Sequence, residues 1–231
     1  MMLAALTSVS SLLAVRSAHV VAPMSRCGLP LRGMAAARMM ATAPPPVSVL
    51  VPIADDSEEI ETACIQDTLV RAGAAVTVAS VMPDGRLQCT MSRGLKVVAD
   101  VSIDECAGMT FDAIALPGGM PGAERLRDCA TLTTLLKEHS SAGRTTAAVC
   151  ASPAVVFAAH GLLPASATCY PAPAFKEKVP NWQDASAVVD GHVITSQGPG
   201  TSLAFALKLV EVLYDKDKAD EIAKQMLTQT S

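Results

Sequence analysis

The sequence predicts an α/β fold, a flavodoxin-like three-layer sandwich with a mostly parallel sheet covered by helices on both faces. Three observations carry this. Short apolar, β-branched runs alternate with helical patterns from Val47 onward, the order that builds a parallel sheet. Half of the 231 residues are hydrophobic but only 3% are aromatic, so the core must be Ala, Val, Leu and Ile, as in strands buried on both faces. Thr145 to Val149 reads as such a strand, and Cys150 follows it directly, ahead of a helical pattern opening Ala151-Ser152-Pro153. That is a strand-to-helix elbow, with proline tolerated in the first helical turn.

The first 45 residues stand apart. No Asp or Glu precedes Asp55, and Arg16, Arg26, Arg32 and Arg38 are spaced among Ala, Ser, Met and Leu. This composition predicts a disordered organelle-targeting presequence, for plastid or mitochondrion. Met1 to Val15 also passes for a secretory apolar region without a charged start, and a bipartite signal with its junction near Ser17–Pro23 combines both features. A start at Met39 or Met40 would instead leave the chain cytoplasmic. Pro44-Pro45-Pro46 marks the boundary, and residues 46–231 are expected to form a single domain.

Val47 to Ile53 is the first expected strand. Asp55-Asp56-Ser57 is the turn and cap of a helix that carries Glu58 and Glu59 in its first turn and stops at Gly73. Strands are expected at Ala75–Ser80, Leu87–Cys89, Lys96–Asp100 and Phe111–Leu116, with a turn at Pro83-Asp84-Gly85 and a short helix capped by Ser102. Helical patterns follow around Ala123–Arg127 and Leu132–His139, and the helix after Cys150 ends at His160-Gly161. Thr168–Tyr170 reads as a short strand before a Pro-rich loop, and Asp190-Gly191 turns a hairpin. Thr201–Tyr214 is apolar on most sides, hence a covered helix, and the charged segment from Asp215 is a solvated one.

Composition also excludes. A net charge of −4 lacks the basic face that nucleic-acid binding requires. No run of roughly 18 apolar residues suggests a transmembrane helix. The seven cysteines are odd in number and spread out, with no C-x-x-C and no zinc spacing, which fits reduced thiols and no metal site.

Three stretches point to chemistry. At the elbow, a helix N-terminus beneath Cys150 favours thiolate over thiol; the alternative is a small buried apolar residue. Glu61 shares a helix face with Ile65, Thr68, Leu69 and Ala72, while Glu58 and Glu59 point more outward. Glu61 is therefore expected half-buried with a raised pKa, as proton donor or base, or else as a carboxylate that only serves the helix dipole. Gly118 and Gly119 follow a strand, so their amides and that of Ala151 are candidates to hold an oxyanion, or form an ordinary turn. All three stretches follow strands at the edge where such sheets bind ligands. Histidine is scarce there. His19 lies in the presequence, His139 late in a helix expected at the surface, His160 ~15 Å along the helix from Cys150, and His192 near a hairpin turn. Tyr170 is the alternative hydroxyl.

The combination Asp56-Ser57-Glu58-Glu59-Ile60-Glu61, Leu116-Pro117-Gly118-Gly119, Ala147-Ala148-Val149-Cys150-Ala151-Ser152-Pro153 and Thr195-Ser196-Gln197-Gly198-Pro199-Gly200-Thr201 resembles the ThiJ/PfpI family, in its parkinsonism-associated protein deglycase branch, from about Val47 to the C-terminus. The resemblance implies a flavodoxin-like homodimer with Cys150 as nucleophile, Glu61 as its partner carboxyl and oxyanion contacts at Gly119 and Ala151. It implies a cofactor-independent glyoxalase or deglycase acting on methylglyoxal-type 2-oxoaldehydes and their early adducts, with a role in oxidative-stress protection. Cys89 matches a secondary, redox-sensitive cysteine. Two positions depart from the pattern: Tyr170 stands where a His is common, and Gln197 where an Arg is common, leaving Arg71 and Arg93 as the matching cations.

Two readings follow. In one, Cys150 attacks a 2-oxoaldehyde while Glu61 and Tyr170 move protons. In the other, the same cysteine is a redox sensor or serves a chaperone, without turnover. A peptidase is disfavoured, because Ala151 stands where a His would be required.

Overall fold

The computed structural model describes residues 45–229. The presequence expectation, with His19 and Cys27, lies outside the described residues. The strands are β1 (Ser48–Ile53), β2 (Ala75–Ser80), β3 (Gln88–Thr90), β4 (Lys96–Val98), β5 (Val101–Ser102), β6 (Ala113–Leu116), β7 (Thr145–Val149), β8 (Ala187–Asp190) and β9 (Val193–Ser196). The helices are α1 (Glu59–Ala72), α2 (Gly122–Asp128), α3 (Ala130–Ser141), α4 (Ala158–His160), α5 (Pro173–Lys176), α6 (Ser202–Leu213) and α7 (Lys216–Gln225).

Seven strands form one sheet in the order β5-β2-β1-β6-β7-β9-β8. All neighbours are parallel except β8, which pairs antiparallel with β9 through the expected hairpin. β3 and β4 form a separate antiparallel ribbon. From the centre, the β1-to-β2 crossover through α1 and the β6-to-β7 crossover through α2 and α3 leave in opposite directions. Because such crossovers are right-handed, α1 and α3 must cover opposite faces. α1 packs on α6, and α6 on α7, which completes one helical layer. The loops after β1 and β6 therefore meet at the carboxyl edge where the winding reverses, and a crevice opens there.

The strands are buried because their residues are small and branched: Val49, Leu50, Val51, Ile114, Ala115, Ala147, Ala148 and Val149 are fully enclosed. Phe157 and Phe205 supply the largest buried side chains, where truncation of a Phe typically costs about 3–5 kcal/mol. α1 stops at Gly73, whose φ of 96° is the left-handed conformation a helix end favours.

Three expectations are corrected. Thr168–Tyr170 is not a strand. The N–H of Thr168 goes to the Thr195 hydroxyl and that of Tyr170 to the carbonyl of Cys150, so the segment crosses the elbow instead of joining a ladder. The helix after Cys150 ends at His160 before Gly161 as expected, but it is not α-helical throughout: Pro153–Phe157 winds wide, with the N–H of Ala158 donating to Pro153 O. His139 is not on the surface but 1% exposed: its helix packs against β6 and β7, and burial depresses its pKa.

Candidate active site

Cys150 follows β7 with φ 62°, a left-handed conformation uncommon for a residue with a Cβ. Its surroundings over-determine it. Its N–H donates to Ser196 O at 3.0 Å and its carbonyl accepts from Tyr170 N–H at 2.8 Å, while the Ser152 hydroxyl is bonded to Pro117 O. Strain held in this way aims a side chain out of the sheet edge. The sulfur reaches a pocket of about 370 Å³, also lined by Glu58, Ser92, Arg93, Gly119, Ala151 and Tyr170.

The opposite wall is the start of α1. Glu58 is the N-cap, in extended conformation, and its carboxylate accepts the N–H of Glu61 at 2.8 Å. Its own N–H donates to Gly118 O at 3.0 Å, tying the β1 loop to the β6 loop. Glu61 is fully buried. Its Oε2 accepts the N–H of Gly118 at 2.7 Å. Its Oε1 is buried with no hydrogen-bond partner, and the carboxyl and the Cys150 thiol each shift the other's pKa.

Burial dominates the titration of both groups. It raises Glu61 to about 7 against the bond from Gly118, and the charge of Glu58 adds to the rise. Burial also pushes Cys150 up to about 12, as does the charge of Glu61, against the amides of Gly119 and Ala151. The plain thiolate expected from a helix terminus is thus corrected: desolvation outweighs the peptide dipoles. A second negative charge in this space is penalised twice, by burial and by repulsion, so the pair keeps at least one proton at and above neutral pH. The arrangement with the proton on Glu61 and the charge on sulfur is the one the two amides are placed to stabilise.

The loop glycines are steric necessities. A Cβ on Gly118 would lie 2.7 Å from the Cβ of Cys150, and one on Gly119 would lie 2.2 Å from Asp56 O, at φ +91°. The elbow and the α1 loop can approach the β6 loop this closely only because both residues lack a side chain.

The structure thus brings Cys150, Glu61, Gly119, Ala151 and Tyr170 together. Gly118 is corrected as an oxyanion donor, because its amide is spent on Glu61. Cys89 is corrected as a redox-sensitive thiol: it is 0% exposed, and burial raises its pKa. Tyr170 is 44% exposed, with its ring edge-on to Phe175 at 6.3 Å. Gln197 binds Asp184 at 2.9 Å, and Arg71 pairs with Asp67 on the exposed face of α1, so Arg93 is the cation at the pocket. Among the described residues no histidine lines it. Glu58 was expected to point outward and does not; its spacing from Glu61, N-cap to third helical residue, is the signal that places it. A larger cleft of about 620 Å³, lined by Met82, Ile103, Pro121, Arg125 and Cys129 among others, contains none of the expected residues. Among the described residues no cluster of His, Cys, Asp or Glu suits a metal ion, and no helix is long and apolar enough to cross a membrane.

Residues 47–212 match the DJ-1/PfpI family. DJ-1 homolog B of Arabidopsis thaliana is 44% identical over 180 residues, 78% of this chain but 41% of that protein, so the chain spans less than half the length of this relative. The glutathione-independent glyoxalase DJR-1.2 of Caenorhabditis elegans is 36% identical over 176 residues, 74% of this chain and 91% of that one. Among solved structures, oxidized DJ-1 of Toxoplasma gondii superposes with a TM-score of 0.75 at 50% identity, covering 79% of this chain and 98% of its own. With this agreement of sequence and fold, the chain belongs to the DJ-1/PfpI family.

Proposed function

We propose that this chain is a cofactor-independent glyoxalase acting on methylglyoxal-type 2-oxoaldehydes and their early adducts. The observation that carries the reading is the Cys150 sulfur facing an open pocket with a buried carboxyl that titrates to about 7 behind it. A carboxyl near 7 both accepts and returns a proton at neutral pH. The Cys150 sulfur adds to the aldehyde carbon, and the pair's proton goes to the new oxygen, giving a hemithioacetal. Glu61 takes the proton from that carbon and delivers it to the adjacent one through an enediolate, whose oxygen faces the amides of Gly119 and Ala151. Water then cleaves the thioester, releasing a 2-hydroxy acid and the thiol. Arg93 at the rim suits the carboxylate product, and Tyr170 is positioned to donate to a substrate oxygen.

The C. elegans relative named a glutathione-independent glyoxalase supports this reading. The test is lactate formation from methylglyoxal without added thiol, wild type against Cys150→Ser; equal turnover would end the proposal. A second reading, a redox sensor using the same sulfur, is supported by the solved relative described as oxidized and by the position of Cys150 at the pocket. It predicts a stable oxidised state of Cys150 with or without turnover. A homodimer is part of the proposal, supported by the exposed apolar side chains Ile60, Leu95 and Val98 on α1 and the β3–β4 ribbon.

A further inference from the structure

We propose that Glu58 is a positioning residue for the Cys150–Glu61 pair: its buried carboxylate fixes the start of α1 and biases the shared proton toward Glu61 and away from the sulfur. This rests on the site described above and adds a third acidic residue to it.

Three observations converge. Glu58 is 7% exposed, so its charge acts in a medium that screens weakly. One of its oxygens is fixed, 2.8 Å from the N–H of Glu61, and Glu58 lines the same pocket as Cys150. Its N–H and side chain together bind the β6 loop and the α1 terminus. An N-cap does not have to be Glu; Ser, Thr, Asp or Asn cap more commonly. A glutamate here brings a charge to a place where a neutral cap would serve the helix.

The groups facing Glu61 determine the direction. Glu58 lies on its own helix turn, and repulsion from it disfavours the Glu61 anion. Cys64, one turn on, is a thiol that feels both carboxylates. Cys150 faces from the elbow, where the amides of Gly119 and Ala151 oppose its neutral form. Arg93 and Tyr170 sit across the pocket, with Arg93 further out, on a turn held by the Glu59 carboxylate. Of the charged neighbours, Glu58 is bonded to the backbone of Glu61 itself, and its charge raises that carboxyl, whereas the rise at the sulfur comes from burial and from Glu61. In the singly ionised pair, the balance therefore shifts toward protonated Glu61.

The test measures alkylation of Cys150 by iodoacetamide, followed by intact mass on the full chain, and needs no turnover. Glu58→Gln and Glu58→Ser retain a capping oxygen and remove the charge; Glu58→Asp retains both cap and charge. We expect alkylation at pH 7 to slow roughly threefold to tenfold in the Gln and Ser variants, the equivalent of half to one pK unit, and to stay near wild type in the Asp variant. Wild-type rates in Gln and Ser would overturn the proposal. Equal slowing in all three variants would also overturn it, because the effect would then belong to cap geometry. Failure of the wild type to convert methylglyoxal would remove the glyoxalase reading and leave the alkylation result standing.

Discussion

The carboxylate of Glu61 accepts the N–H of Gly118 at 2.7 Å, joining the first helix to the loop after β6. The bond does two things. It removes Gly118 from any oxyanion contact, and it holds a fully buried acid beside the sulfur of Cys150. Its removal is therefore expected to be chemical first. Glu61→Gln should reduce turnover of methylglyoxal by roughly 10²–10⁴-fold, the usual weight of a general acid–base group. Steady-state rates that stay within tenfold of wild type would remove Glu61 from the proton transfers.

The same carboxyl makes stability depend on pH. Its pKa is about 7 in the folded chain against an ordinary 4.5 for a glutamate in water. Between these values the folded state holds a proton that the unfolded state has released, so stability is highest below 4.5 and falls as pH rises toward 7. The difference is on the order of 3 kcal/mol. Urea unfolding at pH 5 and pH 8 should show this fall in the wild type and a flatter dependence in Glu61→Gln. A parallel pH dependence in the two would show that the carboxyl is not buried as described.

Gly119→Ala should damage the site from the backbone. The added carbon would meet Asp56 O at 2.2 Å and at positive φ, and overpacking of this kind costs about 1–3 kcal/mol. We expect a lower Tm together with loss of turnover, because the loop that offers an amide to the sulfur must shift. An unchanged Tm would contradict the close approach of the α1 and β6 loops.

Peroxide should discriminate between the two cysteines singled out in the sequence. Cys150 reaches the pocket, while Cys89 is sealed at 0% exposure beside Ser80. Peptide mass mapping after mild oxidation should find Cys150 modified first and Cys89 protected until the chain unfolds. Earlier modification of Cys89 would sink the sensor reading.

The exposed apolar side chains of α1 and the β3–β4 ribbon should report on assembly. Leu95 and Val98 are 54% and 66% exposed, apolar surface that a partner copy would cover. Light scattering of the wild type is expected to give a dimer, and Val98→Lys a monomer. A monomeric wild type would remove the homodimer from the proposal.

Much of this protein was legible without coordinates. Strand β7 lies at Thr145–Val149 and helix α1 ends at Gly73 as read, because branched apolar runs and a helix-ending glycine are local signals. The elbow at Cys150 and the buried stripe beginning at Glu61 were legible for the same reason: spacing along one strand or one helix turn sets which face a side chain takes. What tertiary structure decided is where hydrogen bonds and charge go once separate loops meet. That the amide of Gly118 serves Glu61, that Glu58 turns inward as a cap, that His139 is enclosed, and that burial overrides the helix dipole at Cys150 all depend on contacts between segments far apart in the chain. Periodicity records the inward face of an element, but desolvation is set by what another element lays over it.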